Sequence, residues 1–212
     1  MQPQLPELNN KHILRLLTLL LAALLSVNLS AQTFSEQDES EITTRLVEYF
    51  EFTKANDYAQ MIEYVYPKVF SLATKEQLLE VFNSLESLGI GLTVDRIELR
   101  NVESLHEGTQ RYALAKYDTD IRLELKTAQM QSDQVVESLK GSFKAQYNAE
   151  TVEYDPETKM MTFSGYKYVV AIKDADFDAE EWYFLEYDAT NAQASQMLLG
   201  QDAFAKLVEK MK

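Results

Sequence analysis

The sequence contains no cysteine. This absence excludes disulfide bonds, a lipid-modified cysteine anchor, thiolate nucleophiles and thiolate metal sites. The fold must therefore be stabilised by its core alone, and at 212 residues the chain is long enough for a core of sufficient size.

Histidine is almost as scarce, and the glycine-rich signatures of several enzyme classes are missing. Only two histidines occur, His12 near the N-terminus and His106 in "SLHEGT", which we expect in a turn. A Ser-His-Asp triad needs a suitably placed histidine, and no GxSxG elbow, phosphate-binding glycine loop or zinc-type histidine cluster is present. We therefore predict no catalytic residue and no cofactor.

Basic residues are few, with 20 Lys and Arg against 34 Asp and Glu, for a net charge of −14. An acidic surface repels phosphate backbones, so we expect no nucleic-acid partner. Solubility alone accounts for such a charge, and weak binding of a divalent cation is the alternative.

The N-terminus has the pattern of a secretory signal peptide over residues 1–31. Lys11 and Arg15 precede the apolar run "LLTLLLAALLSV", and small residues follow in "NLSAQ". We predict cleavage between Ala31 and Gln32, with an uncleaved anchor as the alternative, and contact with the membrane only before cleavage. The chain is thus expected in a bacterial periplasm or outside the cell, without being a lipoprotein. Residues 32–212 contain no linker or repeat and are predicted to form one domain.

Helical patterns come first along this domain. Ser35 with Asp38 and Thr74 with Gln77 resemble capping boxes, each ahead of an apolar stripe at helical spacing. The stripe after Thr74 runs to Leu88, so this third helix is predicted to stop at Gly89 and Gly91. A further helix is predicted within 128–150, between two strands, and another at the C-terminus through Phe204.

In three strand patterns the apolar residues move part-way along from even-numbered to odd-numbered positions or the reverse, which we call a parity switch. The switches fall at Asp95–Arg96, between Lys116 and Asp120, and at Gly165. A switch indicates either a turn, such as one at "YDTD", or an inserted residue that bends the strand. Three switches in three strands favour a strongly curved antiparallel sheet.

Two longer stretches carry a family resemblance. "EYFEFTKANDYAQMIEYVYPKVF" and the strand pair "YKYVVAIKD…EEWYFLEYD" resemble exported bacterial members of the nuclear-transport-factor-two-like superfamily. The resemblance implies a cone-like α+β fold, in which N-terminal helices pack on a curved antiparallel sheet. It also implies one of several functions, since the superfamily includes isomerases, dehydratases, carriers and non-catalytic binding domains.

The stretch "DADFDAEEWYFLEY" raises the question of a calcium site. Asp174, Asp176 and Asp178 match the first ligand positions of a helix-loop-helix calcium loop. Ala179 stands where the loop needs glycine and Leu185 where it needs glutamate, so the match fails. We predict an acidic turn between two strands, with a weak cation site at the three aspartates as the alternative.

Aromatic side chains are the remaining candidates for a ligand pocket. We select those on elements whose apolar faces could line the cone: Tyr49, Tyr66, Tyr112, Tyr168 and Trp182. Packing of their rings in the core is the default interpretation, and a role in ligand binding is the alternative. Glu186 lies in the last strand pattern, and we expect its side chain to point outward.

These observations predict a non-catalytic exported domain that binds a small molecule or a protein partner through the cone or the sheet face. One alternative is a cofactor-independent isomerase or dehydratase, which needs a buried carboxylate beside tyrosine hydroxyls. The other is a weak calcium-binding surface protein. Neither the oligomeric state nor the identity of a partner follows from the sequence.

Overall fold

The computed structural model describes residues 34–106, 110–178 and 180–211, without the side chains of His106 and Ala189. The predicted signal peptide and its cleavage site at Ala31 and Gln32 lie outside these residues. The helices are α1 (Glu36–Lys54), α2 (Tyr58–Met61), α3 (Lys75–Ser84), α4 (Asp133–Tyr147), α5 (Ala192–Leu199) and α6 (Gln201–Lys210). The strands are β1 (Ile90–His106), β2 (Gln110–Leu125), β3 (Val152–Asp155), β4 (Met160–Asp174) and β5 (Tyr183–Glu186). Short 3₁₀ turns cover Ile62–Tyr64, Pro67–Ser71 and Ala189–Asn191.

The N-terminal helices begin where the sequence predicts. Both capping boxes form, because Ser35 and Thr74 accept hydrogen bonds from the backbone three residues on and receive one in return. The break after α1 falls at Asn56, which adopts a positive φ of 56°. The third helix is shorter than expected, since α3 ends at Ser84 and turns fill the stretch up to Gly89.

The C-terminal segment forms two helices instead of the one predicted. Gly200 separates α5 from α6 with a φ of 80°, a conformation that favours glycine. The apolar stripe of α6 is nevertheless real, because Ala203 and Leu207 are buried on one side of it.

The strands form one open antiparallel sheet in the order β1-β2-β4-β3, with β5 on the same side of β4 as β3. The α+β class and the antiparallel sheet are therefore confirmed. β5 pairs with β4, and on its other side the described residues form one parallel bridge, Val65 with Phe184. It is covered on both faces, with Phe184 and Leu185 buried on opposite sides.

The first parity switch is an inserted residue. The pairing of β1 with β2 shifts by one residue between Val94 and Arg96, and again between Leu99 and Asn101 and between Ser104 and His106. The first two shifts return the apolar side chains of β1 to the same side of the sheet, which is the effect of a β-bulge, whereas Leu105 at the third shift packs on the opposite side.

The other two switches have a different cause, and the prediction of inserted residues there is wrong. β2 and β4 pair in continuous register from Gln110–Asp174 to Glu124–Met160. The apolar residues of these strands therefore change face. We call the side that carries Ala115 and Tyr117 face A, and the side that carries Leu114 face B.

Each face has its own cover. On face A, α1 packs against the middle of the sheet and α4 packs against Leu123 and Phe163. On face B, α5 and α6 cover only the end that holds Leu114 and Ile172, and the rest carries exposed charged residues. β2 and β4 are thus covered on both faces at one end and on face A alone at the other. This difference in cover explains why their apolar residues change parity, and no inserted residue is needed.

Gly165 allows α4 to end directly on β4. A methyl group at this position would lie less than 3.0 Å from the backbone carbonyl oxygen of Tyr147, the last residue of α4. Gly165 itself pairs in register with Thr119. The glycine therefore marks a close approach of two backbones, which corrects the predicted bulge or bend.

The described residues form one compact unit. Within the described residues, no helix combines the length and the apolar character that crossing a membrane requires.

Candidate functional site

Face A contains a cavity of about 390 Å³ between the sheet and the N-terminal helices. Apolar side chains supply most of its wall, including Leu78 and Phe82 of α3 and Leu92, Val94 and Ile97 of β1. Its size lies within the range of natural small-molecule sites, which are typically apolar with a few polar groups.

Several polar groups of this cavity converge on Glu186, at the end of β5. The Tyr117 hydroxyl lies 2.9 Å from both carboxylate oxygens, and the Tyr49 hydroxyl lies 3.5 Å from Oε1. The Lys167 ammonium lies 3.2 Å from Oε2 and 5.0 Å from the centre of the Tyr147 ring. We call Tyr49, Tyr117, Tyr147, Lys167 and Glu186 the Glu186 cluster.

The sheet register brings these residues together. Tyr117 of β2 is the direct partner of Lys167 on β4, and Glu186 of β5 pairs with Val169, two residues further along β4. Side chains two residues apart on a strand share a face, so all three point to face A. Gly165, two residues before Lys167, seats the end of α4 and with it the Tyr147 ring beside the ammonium.

The environment keeps the tyrosines and Lys167 of the cluster protonated near neutral pH. Burial raises the pKa of the Tyr49 and Tyr117 hydroxyls well above the usual 10.0, and the charge of Glu186 raises both further. Burial alone would lower the pKa of Lys167, but Glu186, together with Tyr147 and Asp188, raises it above the usual value. The tyrosines are therefore neutral donors and Lys167 is a cation beside a carboxylate.

The residues predicted to line a pocket do not share one cavity. Tyr49 lies in the wall just described. Tyr66 and Tyr112 are buried on face B, where the Tyr66 hydroxyl donates to Asp174 at 2.6 Å and that of Tyr112 to Gln110 at 2.7 Å. Tyr168 packs at the edge of the same cluster.

Trp182 is part of the core on face A. Its side chain is fully buried, its indole N–H donates to Glu41 at 3.3 Å, and Arg111 and Lys173 lie over its ring at 5.4 and 5.5 Å. These contacts fix Trp182 between α1 and the sheet, outside the wall of the cavity.

The acidic stretch after β4 is a turn, and its three aspartates differ from one another. Asp174 is buried and accepts hydrogen bonds from Tyr66, from Lys68 at 2.9 Å and from Gln110 at 2.8 Å. Asp176 and Asp178 are exposed. Asp174 would be the first ligand of a cation site here, and its carboxylate is already paired with the ammonium of Lys68.

A second hollow, of about 720 Å³, lies over the uncovered part of face B. Both arginines in its wall are paired: Arg96 lies 2.6 Å from Asp120, and Arg122 lies 2.5 Å from Asp95. Ion pairs of this kind at the surface contribute little to stability. Glu150 and Glu153 also line this hollow, and both are exposed to water. The cavity on face A is the better candidate site, because its wall is mainly apolar and contains only a few polar groups.

In the part of the chain that the structure describes, no three acidic or histidine side chains are arranged to hold a metal ion. Comparison with protein-family models, curated proteins and solved structures gives no match for this chain.

Of the five cluster residues, only Tyr49 is among the residues that the sequence predicts for a pocket. Glu186 is expected to point outward, yet it shares its face with Phe184, and both line the cavity. Lys167 is not selected, because the switch assumed at Gly165 puts the apolar residues that follow at even positions. Strict alternation from Phe163 through Lys167 to Val169 would have placed it on face A.

Proposed function

We propose that this protein is an exported, non-catalytic domain that binds a small, mainly apolar molecule in the cavity on face A. The observation that carries the proposal is an apolar wall that ends in one group of charged and hydroxyl side chains, the Glu186 cluster. Such a division is typical of sites that gain affinity from apolar contact and orientation from a few polar groups. Export is supported by the N-terminal sequence pattern.

The proposed fold family remains the nuclear-transport-factor-two-like superfamily, with a cone-like curved sheet. The order of helices and strands and the three register shifts of β1 support it, since bulges bend and twist a strand. A site enclosed between such a sheet and its helices would agree with the position of the cavity.

Proton transfer on a bound substrate is the second candidate function. A carboxylate 2.9 Å from the Tyr117 hydroxyl inside an apolar cavity favours it, because this is the arrangement a cofactor-independent isomerase needs. Binding without catalysis is preferred, because Tyr117, Tyr49 and Lys167 already occupy most of the acceptor positions of Glu186.

Filling the cavity should abolish binding of an apolar probe. Leu78 of α3 lines the cavity, and its replacement by tryptophan places a larger ring in the space a ligand would use. We expect Leu78→Trp to weaken binding of the neutral dye N-phenyl-1-naphthylamine at least about tenfold, the equivalent of roughly 1.4 kcal/mol. Dye fluorescence measured against protein concentration gives the affinity.

Val81 supplies the matched control for this experiment. It lies on the same helix, three residues on, and its side chain is 60% exposed. Val81→Trp should bind the dye like the original protein, and circular dichroism should show that both variants are folded. Equal dye affinity in the two tryptophan variants would place the dye elsewhere and contradict the proposal.

A further inference from the structure

The Glu186 cluster restricts the charge that a ligand can carry. One carboxylate and one ammonium lie 3.2 Å apart, and the neighbouring tyrosines are neutral, so the cluster has no net charge. The side chain of Lys167 is 13% exposed and that of Glu186 is 29% exposed, so the pair is partly shielded from water. A charged ligand group would therefore enter an apolar space without a counter-charge, which is costly. The ligand is expected to be neutral.

The hydrogen-bonding capacity of the cluster restricts the ligand further. The Lys167 ammonium has three N–H donors, and its contact with Glu186 uses only some of them. A carboxylate has about four acceptor positions, and Tyr117, Tyr49 and Lys167 do not use all of them. The cluster can thus both donate to a ligand atom and accept from it.

A hydroxyl group is the simplest neutral group that meets both requirements. Its oxygen can accept from an ammonium while its hydrogen is donated to a carboxylate. An ether or ketone oxygen can only accept. With such a ligand one interaction is lost, and a lost hydrogen bond in a dry site weakens binding measurably.

We propose that the ligand is a neutral, mainly apolar alcohol, whose hydroxyl accepts a hydrogen bond from Lys167 and donates one to Glu186 while its hydrocarbon part fills the cavity between α3 and β1. This inference rests on the proposed function and adds the chemical class of the ligand.

A series of ligands with one chain length tests the inference on the unaltered protein. Decanol, decyl methyl ether, decanoate and decylamine are compared for displacement of N-phenyl-1-naphthylamine near neutral pH. We expect decanol to displace the dye at a concentration about tenfold lower than the ether, as one lost buried hydrogen bond predicts, and lower still than either ion. Equal or tighter binding of decanoate, decylamine or the ether would overturn the inference.

A charge change in the cluster should alter this preference in a stated direction. Glu186→Gln keeps the size of the side chain and leaves Lys167 as an unbalanced cation, so decanoate should now bind at least as tightly as decanol. The control is Glu209→Gln on the exposed side of α6, which removes the same charge far from the cavity and should keep the preference for decanol. An unchanged order of ligands in Glu186→Gln would contradict the role given to the cluster.

The two proposals fail in different ways. If the original protein binds neither the dye nor, by calorimetry, any of the four ligands, the proposed function itself is wrong. If it binds the dye and prefers an ion or the ether, only the alcohol is wrong. Should Glu186→Gln not fold, the ligand series on the unaltered protein still decides between these outcomes.

Discussion

Replacing Gly165 with alanine is expected to lower the free energy of unfolding by about 2–3 kcal/mol, at the upper end of the cost of overpacking a core. The added methyl group would overlap the carbonyl oxygen of Tyr147, a backbone atom that cannot rotate away. The end of α4 would have to move off β4, and the Tyr147 ring beside Lys167 would move with it. Urea unfolding followed by the fluorescence of Trp182, the single tryptophan, measures the change.

Gly141 is the matched control, because it lies within α4 and a methyl group there meets no atom within 4 Å. Gly141→Ala should raise the free energy of unfolding by about 0.5–1 kcal/mol, since alanine is the better helix former. Equal stability of Gly165→Ala and the original protein would show that α4 does not end on β4 as described.

Asp174→Asn is expected to cost about 2 kcal/mol near neutral pH, since a shift of one pKa unit is worth about 1.4 kcal/mol. Burial alone would raise the pKa of the Asp174 carboxyl, but hydrogen bonds from Tyr66, then from Lys68 and the chain at Asp176, lower it to about 2. The variant keeps the size of the side chain and loses the charge that binds Lys68.

The pH dependence has a definite sign. In the unfolded chain the carboxyl returns to about its usual pKa of 3.8, so acid protonates the unfolded state first. The contribution of Asp174 is therefore complete above about pH 4 and is lost as the pH falls towards 2. The difference in stability between the original protein and Asp174→Asn should shrink over the same range, as measured by urea unfolding at a series of pH values.

Asp176→Asn is the control for this effect, because its side chain is 76% exposed and its nearest cation, Lys68, lies 3.9 Å away. Its stability should stay within about 0.5 kcal/mol of the original protein. A difference for Asp174→Asn that persists unchanged at pH 2, or an equal loss in Asp176→Asn, would refute the assignment of Asp174 as the buried anchor.

Local signals in the sequence predict the helices well. The capping boxes at Ser35 and Thr74 depend on residues three positions apart, and the same short-range contacts form in the folded protein. The hairpin between β3 and β4 is likewise local, since Asp155 and Pro156 determine its turn. Helix ends are less certain, as the early end of α3 shows, because tertiary packing decides how far a helix continues.

A change in the parity of apolar residues along a strand can have two physical causes, and the sequence does not distinguish between them. At Asp95 an inserted residue returns the side chains of β1 to one face. Near Lys116 and Gly165 the chain is regular, and the cover moves from one face to the other. Distinguishing the two needs the position of α5 and α6, which are more than sixty residues away from β2 in the sequence.

The candidate site depends on the same distinction. Tyr49 is selected as a residue on the apolar stripe of α1, and it lies in the wall of the cavity. Lys167 and Glu186 are missed because charged residues are normally assigned to solvent. Their pairing follows from the alignment of β2, β4 and β5, which is a long-range property.

The most direct test of the account is NMR mapping of side-chain methyl groups during titration with decanol. We expect the methyl signals of Leu78, Leu92, Val94 and Ile97 in the cavity wall to shift with one common affinity, while those of Leu114 and Leu207 on face B stay unchanged. Shifts confined to face B, or no saturable shift on face A, would contradict the assignment of the cavity as the binding site.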